Sequence, residues 1–119
     1  MARYEHLPIY KSVYDLNLYF FKLSRGFPKD FKYTLAEDIK NLLSELLDQI
    51  IIANNVADKQ ENLGNAEIIV ERIKIKNRLL HDLKVTKLSS YKYFAENLIE
   101  ISKQIEKWLV WAKKEKSRS

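Results

Sequence analysis

Apolar residues recur at intervals of three and four in the first part of the chain. One row is Ile9, Val13, Leu16 and Phe20, and a second row is Tyr10, Tyr14, Leu18 and Phe21. These intervals place each row along one side of an α-helix. The sequence therefore predicts a first helix over residues 9–24 with a wide apolar arc. Gly26, in a left-handed conformation, and Pro28 are expected to end it.

A stronger helical pattern follows the segment FPKDFKYTL. Its apolar positions are Leu35, Ile39, Leu42, Leu43, Leu46, Leu47, Ile50 and Ile51. Thr34 and Glu37 have the spacing of a capping box, in which each side chain accepts a hydrogen bond from the other residue's backbone N–H. This pattern predicts a second helix over residues 34–54, followed by a polar connection that contains Gly64. The aromatic rings of Phe27, Phe31 and Tyr33 are expected to pack over the bundle end or against a neighbouring subunit.

Two more helical patterns occupy the second half of the chain. The third, over about residues 66–83, has one apolar stripe at Ile68, Ile75, Leu79 and Leu83 and another at Ile69, Ile73 and Leu80. The fourth, over about residues 90–115, has a seam with alternating spacings of three and four at Tyr91, Phe94, Leu98, Ile101, Ile105, Trp108 and Ala112. Ser89 or Ser90 is the expected N-cap of the fourth helix.

Four amphipathic helices with short connections predict an all-α fold, an antiparallel up-down-up-down four-helix bundle. The chain has 119 residues, which suits a single domain over residues 1–119. Its two glycines and two prolines agree with long uninterrupted helices. The apolar arcs of the first three helices are wider than one bundle seam requires, which predicts a homo-oligomer. The alternative is that each helix needs a wide arc to contact two neighbours.

The two halves of the chain differ in net charge. Residues 1–60 contain eight basic and eight acidic residues, whereas residues 61–119 contain thirteen basic and eight acidic residues, so the whole net charge of +5 lies in the second half. A basic half favours a polyanionic partner such as nucleic acid. The alternative is a solvated basic face that keeps the protein in solution.

Residues with catalytic or metal-binding chemistry are scarce. The chain has no cysteine and two histidines, His6 and His81, neither of which has a metal-ligand spacing with the other. No glycine-rich phosphate loop or nucleophile motif is present. The sequence therefore predicts a non-enzymatic protein without metal or cofactor. It also contains no apolar run of signal-peptide or membrane-span length, which predicts a cytoplasmic protein without membrane association.

The most informative cations lie on the third helix. Arg72, Lys74, Lys76 and Arg78 occupy alternate positions, so a helix divides them into two pairs. Lys74 and Arg78 are expected on its outer face. Arg72 and Lys76 are expected within the apolar arc, where they would snorkel, pair with an acid or line a central opening.

These four residues form a candidate phosphate-contacting surface, which Lys84 and Lys87 would continue. Ion pairing along the helix with Glu67, Glu71 and Asp82 is the alternative.

A second basic cluster lies near the C-terminus, beside Trp108 and Trp111. Its members are Lys107, Lys113, Lys114, Lys116 and Arg118. Trp108 continues the apolar seam and is expected to be buried, whereas Trp111 lies off the seam and is the better candidate for a contact. Basic residues at a helix C-terminus also complement its dipole.

Several segments in order give the chain a family resemblance. They are LPIYK, FPKDFKYTL, the Leu/Ile-rich second helix, KIKNRLLHDLK, the KLSSYKYF connection and KWL. Together they resemble the accessory variability determinants of diversity-generating retroelements, over nearly the whole chain. Four-helix proteins encoded in intervening sequences of 23S ribosomal RNA genes share the turn F-P-K-x-x-x-Y-x-L. Those proteins continue into a segment with proline and glycine, whereas the second helix here has neither.

The resemblance implies a four-helix protomer in a homopentamer that associates with a reverse transcriptase, with RNA and with DNA. Such a protein does no chemistry itself and supports mutagenic cDNA synthesis. Basic residues one turn apart on the third helix are tied to this role, and they fall on Lys74 and Arg78, with lysine in place of arginine at the first position. The alternatives are an rRNA intervening-sequence-type protein and a bundle that only oligomerises or binds protein.

Overall fold

The computed structural model describes residues 4–118, most of which lie in four long helices. The first helix is Pro8–Ser24, the second Leu35–Asn55, the third Gln60–Asp82 and the fourth Leu88–Arg118. A 3-10 turn, Tyr4–His6, precedes them, and a single helical turn, Lys29–Lys32, lies between the first two. No strand occurs within residues 4–118, which confirms an all-helical fold. Residues 1–3 and 119 of the predicted domain lie outside those described.

Each long helix packs against two others, as in a helical bundle. The first and third helices each contact both the second and the fourth. One apolar core draws buried side chains from all four, and Phe20 and Phe94 stack at its centre with 5.3 Å between ring centroids. Burying an apolar side chain of this kind stabilises the fold by roughly 1.5–3 kcal/mol. The buried row of the first helix and most of the seam of the fourth are those predicted from the sequence.

The third helix begins six residues earlier than the sequence predicts, at Gln60. Leu63 and Ala66 are fully buried, so the apolar face extends into the segment expected to be a connection. The connection is therefore only residues 56–59. The Lys59 ammonium donates to the carbonyls of Ala53 and Val56 at 2.7 and 2.6 Å, and so satisfies carbonyl groups where the second helix ends.

Three of the predicted capping residues at helix ends are wrong. Thr34 makes no capping hydrogen bond to the second helix, because its hydroxyl donates instead to the Asp30 carbonyl in the preceding turn. Gly26 has no positive φ, so the first helix ends without a left-handed residue. Ser89 and Ser90 lie inside the fourth helix, which already begins at Leu88.

The three aromatic rings before the second helix differ in burial. Phe27 is buried and meets the Phe20 ring edge-on at 6.1 Å, so it covers one end of the core. Phe31 is half-buried, and Tyr33 is 67% exposed. Only part of this segment therefore closes the bundle end.

Candidate nucleic-acid interface

The third helix presents two different apolar stripes to its surroundings. Ile69, Ile73 and Leu80 are buried in the core. The other predicted stripe, Ile68, Ile75, Leu79 and Leu83, faces outward with exposures between 45% and 67%. The alternating cations lie on both sides of this exposed stripe, and each pair therefore meets a different neighbouring helix.

Lys74 and Arg78 lie on the side of the third helix that faces the fourth. Lys74 lines a shallow cavity with Asn77, Tyr91 and Ile99. Asn77 is buried, and its amide donates to the Tyr91 carbonyl at 3.2 Å, which fixes the start of the fourth helix against this side. The two cations therefore lie one turn apart, beside the contact between the third and fourth helices.

Both of these cations are paired with acids on the same helix. The Lys74 ammonium lies 3.1 Å from Glu71, and Arg78 Nε lies 3.2 Å from both carboxylate oxygens of Asp82. Hydrogen bonding to Asp82 raises the pKa of Arg78 above its ordinary value, with smaller contributions from the Asp82 charge and from Tyr91. The Arg78 side chain remains 66% exposed. The predicted alternative of ion pairing along the helix therefore occurs with Glu71 and Asp82.

Arg72 and Lys76 lie on the opposite side, facing the second helix. They border a polar cavity of about 240 Å³ that Asp38 and Glu45 also line. The Lys76 ammonium lies 3.6 Å from Asp38, so this cation pairs with an acid on another helix. Arg72 is exposed. The six candidate residues are therefore not gathered into one patch.

Lys84 and Lys87 lie in the connection between the third and fourth helices, at the same end as Arg78. Lys84 has φ 63°, the left-handed conformation in which glycine is usual. The Lys84 N–H donates to His81 and the Val85 N–H to Leu80, both at 2.9 Å, which is the hydrogen-bond pattern of a Schellman motif. This turn leaves the Lys84 side chain exposed beside Lys87.

His81 is a satisfied side chain beside this turn. Its ring stacks on Tyr91 with 4.7 Å between centroids, and its Nδ1 lies 3.4 Å from the Thr86 carbonyl. The sequence missed Tyr91 as a neighbour of both His81 and Arg78. The four-residue spacing of Arg78 and Asp82 in the sequence indicates their ion pair. Lys76 and Asp38 lie on different helices, so no sequence spacing indicates theirs.

The second basic cluster ends the fourth helix. Trp108 is half-buried against the core, whereas Trp111 is 50% exposed. Lys116 forms a 2.9 Å ion pair with Asp58 in the connection between the second and third helices.

Within residues 4–118 no three His, Asp or Glu side chains form a possible metal site. Among residues 4–118, every helix falls short of the length and apolar content that a membrane span requires.

A family model described as bAvd-like matches residues 7–112. The chain belongs to the bAvd-like family. The bacterial accessory variability determinants are an accessory protein family, and membership associates this bAvd-like chain with an accessory role in a diversity-generating retroelement. No curated protein and no solved structure matches the chain. The match includes the third helix and its connection to the fourth but ends before Lys113, so the basic tail lies outside it.

Proposed function

We propose that this protein is a non-enzymatic, cytoplasmic accessory subunit of a diversity-generating retroelement. It binds RNA and DNA together with the element's reverse transcriptase, and it supports mutagenic cDNA synthesis. Family membership over residues 7–112 carries the proposal. Lys74, Arg78, Lys84 and Lys87 are its candidate contacts, supported by their position on one side and one end of the third helix.

We also infer that neighbouring helices alternate in direction. Two contacts join the second and third helices, Asp38 with Lys76 and Gln49 with Asn62, and position along one helix rises as it falls along the other. Tyr19 meets Tyr93 and Ser12 meets Gln104 in the same opposed order between the first and fourth helices. His81 meets Tyr91, and Lys74 borders a cavity with Ile99, in the same opposed order between the third and fourth helices. Together these pairs support the up-down-up-down topology.

A homopentamer is the proposed assembly. The exposed stripe of the third helix lies across the bundle from a second exposed stripe on the first helix, formed by Tyr14, Leu18 and Phe21. Apolar surface of this kind on a small protein commonly marks an interaction site. Two different stripes suit a head-to-tail contact between copies, the kind of interface that closes into a ring.

Light scattering of the full chain tests this assembly, with a pentamer expected. The variant Ile75→Lys with Leu79→Lys is expected to shift the mass toward the monomer while helical content persists, because both side chains already face outward. Ser44→Lys with Ser117→Lys, at two exposed polar positions, is the control for the same added charge. A monomeric unmodified chain at micromolar concentration would contradict the pentamer.

RNA retention at low salt tests the binding surface. Lys74→Glu with Arg78→Glu is expected to weaken binding at least ten-fold and to flatten the salt dependence, because phosphate contacts release counterions. Lys22→Glu with Arg25→Glu is the control with the same change in charge, because Lys22 is exposed on the first helix and Arg25 is exposed just after its end. Equal losses in the two variants would assign binding to net charge alone.

The second candidate function is a bundle that oligomerises or binds protein without nucleic acid. The pairing of Lys74, Arg78 and Lys76 with Glu71, Asp82 and Asp38 favours it, because each acid neutralises one candidate contact. Co-purification with a reverse transcriptase, followed by nuclease treatment, separates the two functions. Retention of RNA by the purified chain alone supports the nucleic-acid function, and its absence at low salt supports the protein-only bundle.

A further inference from the structure

Trp111 is an unusual surface residue of the fourth helix. Half of its surface is exposed, whereas most tryptophan residues are largely buried. Its ring borders a cavity of about 510 Å³ that is also lined by Ala57, Asp58 and Ala112. The charged side chains of Lys59, Glu115 and Lys116 complete its lining. The exposed half of the ring leaves room for a flat group to lie against it.

The cavity exists because the fourth helix is longer than the first. The first helix has 17 residues and begins beside Trp108, whereas the fourth helix has 31 and continues to Arg118. Its last turns therefore extend past the first helix and lie against the connection between the second and third helices. The 2.9 Å ion pair between Lys116 and Asp58 holds them there.

Two cations flank Trp111 on the same side of the helix. Lys107 lies four residues before it and Lys114 three residues after it, so the three side chains form one exposed row with steps of about 5–6 Å along the axis. Within residues 4–118 neither Lys107 nor Lys114 forms an ion pair, in contrast to Lys74 and Arg78. Their charges are therefore available to an anionic ligand.

We propose that Trp111 is a stacking site for a base of single-stranded nucleic acid, with Lys107 and Lys114 contacting the phosphates on either side. Stacking on an aromatic ring tolerates any base, and flanking amines hold the backbone without reading sequence. In a duplex the bases are stacked on one another, so no base face is free to stack on the Trp111 ring. The inference rests on the proposed nucleic-acid function and adds a second contact, remote from Lys74 and Arg78.

Fluorescence makes the site directly testable, because Trp108 and Trp111 are the chain's two tryptophans. In the variant Trp108→Phe all tryptophan emission comes from Trp111. A short uridine oligomer is expected to quench that emission, and a duplex RNA of the same length is expected to leave it unchanged. In the variant Trp111→Phe, the remaining half-buried Trp108 is expected to respond little to either RNA.

Affinity measurements give a second readout. Trp111→Ala is expected to weaken binding of the uridine oligomer about 5- to 100-fold with an unchanged salt slope, because stacking releases no counterions. Trp111→Phe retains a ring and is expected to recover most of the affinity. Lys107→Ala and Lys114→Ala are each expected to reduce the salt slope by about 0.7.

Three results would overturn the stacking site while leaving the proposed function intact. They are unchanged Trp111 emission at saturating oligomer, equal loss of duplex and single-strand binding in Trp111→Ala, and failure of Trp111→Phe to restore affinity. Quenching by polyglutamate but not by the uridine oligomer would likewise overturn it and identify a protein contact. If the unmodified chain binds no RNA at low salt, the nucleic-acid part of the proposed function fails as well.

Discussion

Arg78 and Asp82 lie one turn apart on the third helix, and the Arg78 Nε is 3.2 Å from each carboxylate oxygen of Asp82. An arginine has five N–H donors, so the groups that do not face Asp82 remain available to a phosphate. The carboxylate nevertheless repels that phosphate. Asp82 therefore acts against nucleic-acid binding at this position and becomes the most direct probe of it.

Asp82→Asn is expected to strengthen RNA binding about two- to five-fold, which corresponds to the usual strength of an exposed ion pair. Fluorescence anisotropy at fixed salt measures the change. Asp15→Asn is the matched control, because Asp15 pairs with Lys11 across one turn of the first helix at 3.1 Å. An equal gain in both variants would mean that binding follows net charge and does not depend on Arg78.

Gly64 lies inside the third helix without any structural need for glycine. Its φ is not positive, and a Cβ placed there would meet no atom within 4 Å. Gly64→Ala is therefore expected to raise the free energy of unfolding by about 0.5–1 kcal/mol, because alanine loses less backbone entropy in a helix. Urea denaturation monitored by circular dichroism measures this change in the free energy of unfolding. Gly26→Ala, outside the helices, should give a smaller change, and destabilisation by Gly64→Ala would contradict this helix assignment.

Asn77 is the buried polar link between the third and fourth helices. Its amide donates to the Tyr91 carbonyl, and 3% of the residue is exposed. Asn77→Ala is expected to lower the free energy of unfolding by about 1–2 kcal/mol through the lost hydrogen bond and the space left behind. Asn97→Ala is the control, since Asn97 makes a similar bond to Tyr93 on an exposed turn of one helix. Equal effects at the two positions would contradict a special role for Asn77.

The ion pair of Asp58 and Lys116 predicts a pH dependence. Hydrogen bonds from the Lys116 side chain and then from the Gln60 backbone lower the pKa of Asp58 below its ordinary value of 3.8. Because the folded state favours the ionised form, this contribution to stability is complete above the ordinary pKa and is lost as pH falls through the lowered value.

Asp58→Asn should therefore lower the unfolding temperature at pH 7, and the difference from the unmodified protein should disappear in strong acid. Asp48→Asn, an exposed acid on the second helix, is the control. A difference for Asp58→Asn that persists unchanged at acid pH would show that the ion pair is not its cause.

Helical periodicity in the sequence was sufficient to predict the four helices and much of the core. Leu16, Phe20, Phe94 and Leu98 are buried as their spacing predicts, because a period near 3.6 places them on one side of a helix. The spacing of Lys74 and Arg78 likewise placed them on one side of the third helix. Local capping signals were less reliable, because the Thr34 hydroxyl found a nearer acceptor in the Asp30 carbonyl.

Tertiary structure alone decided which surface each side of a helix meets. The third helix has two apolar stripes of similar spacing, and its neighbours bury Ile73 while leaving Ile75 exposed. The pairing of Lys76 with Asp38 joins residues far apart in sequence, which no local pattern specifies. The sequence itself determined the periodicity because that depends on neighbours along the chain. Packing against the second and fourth helices determined the exposed surface, including the accessible ring of Trp111.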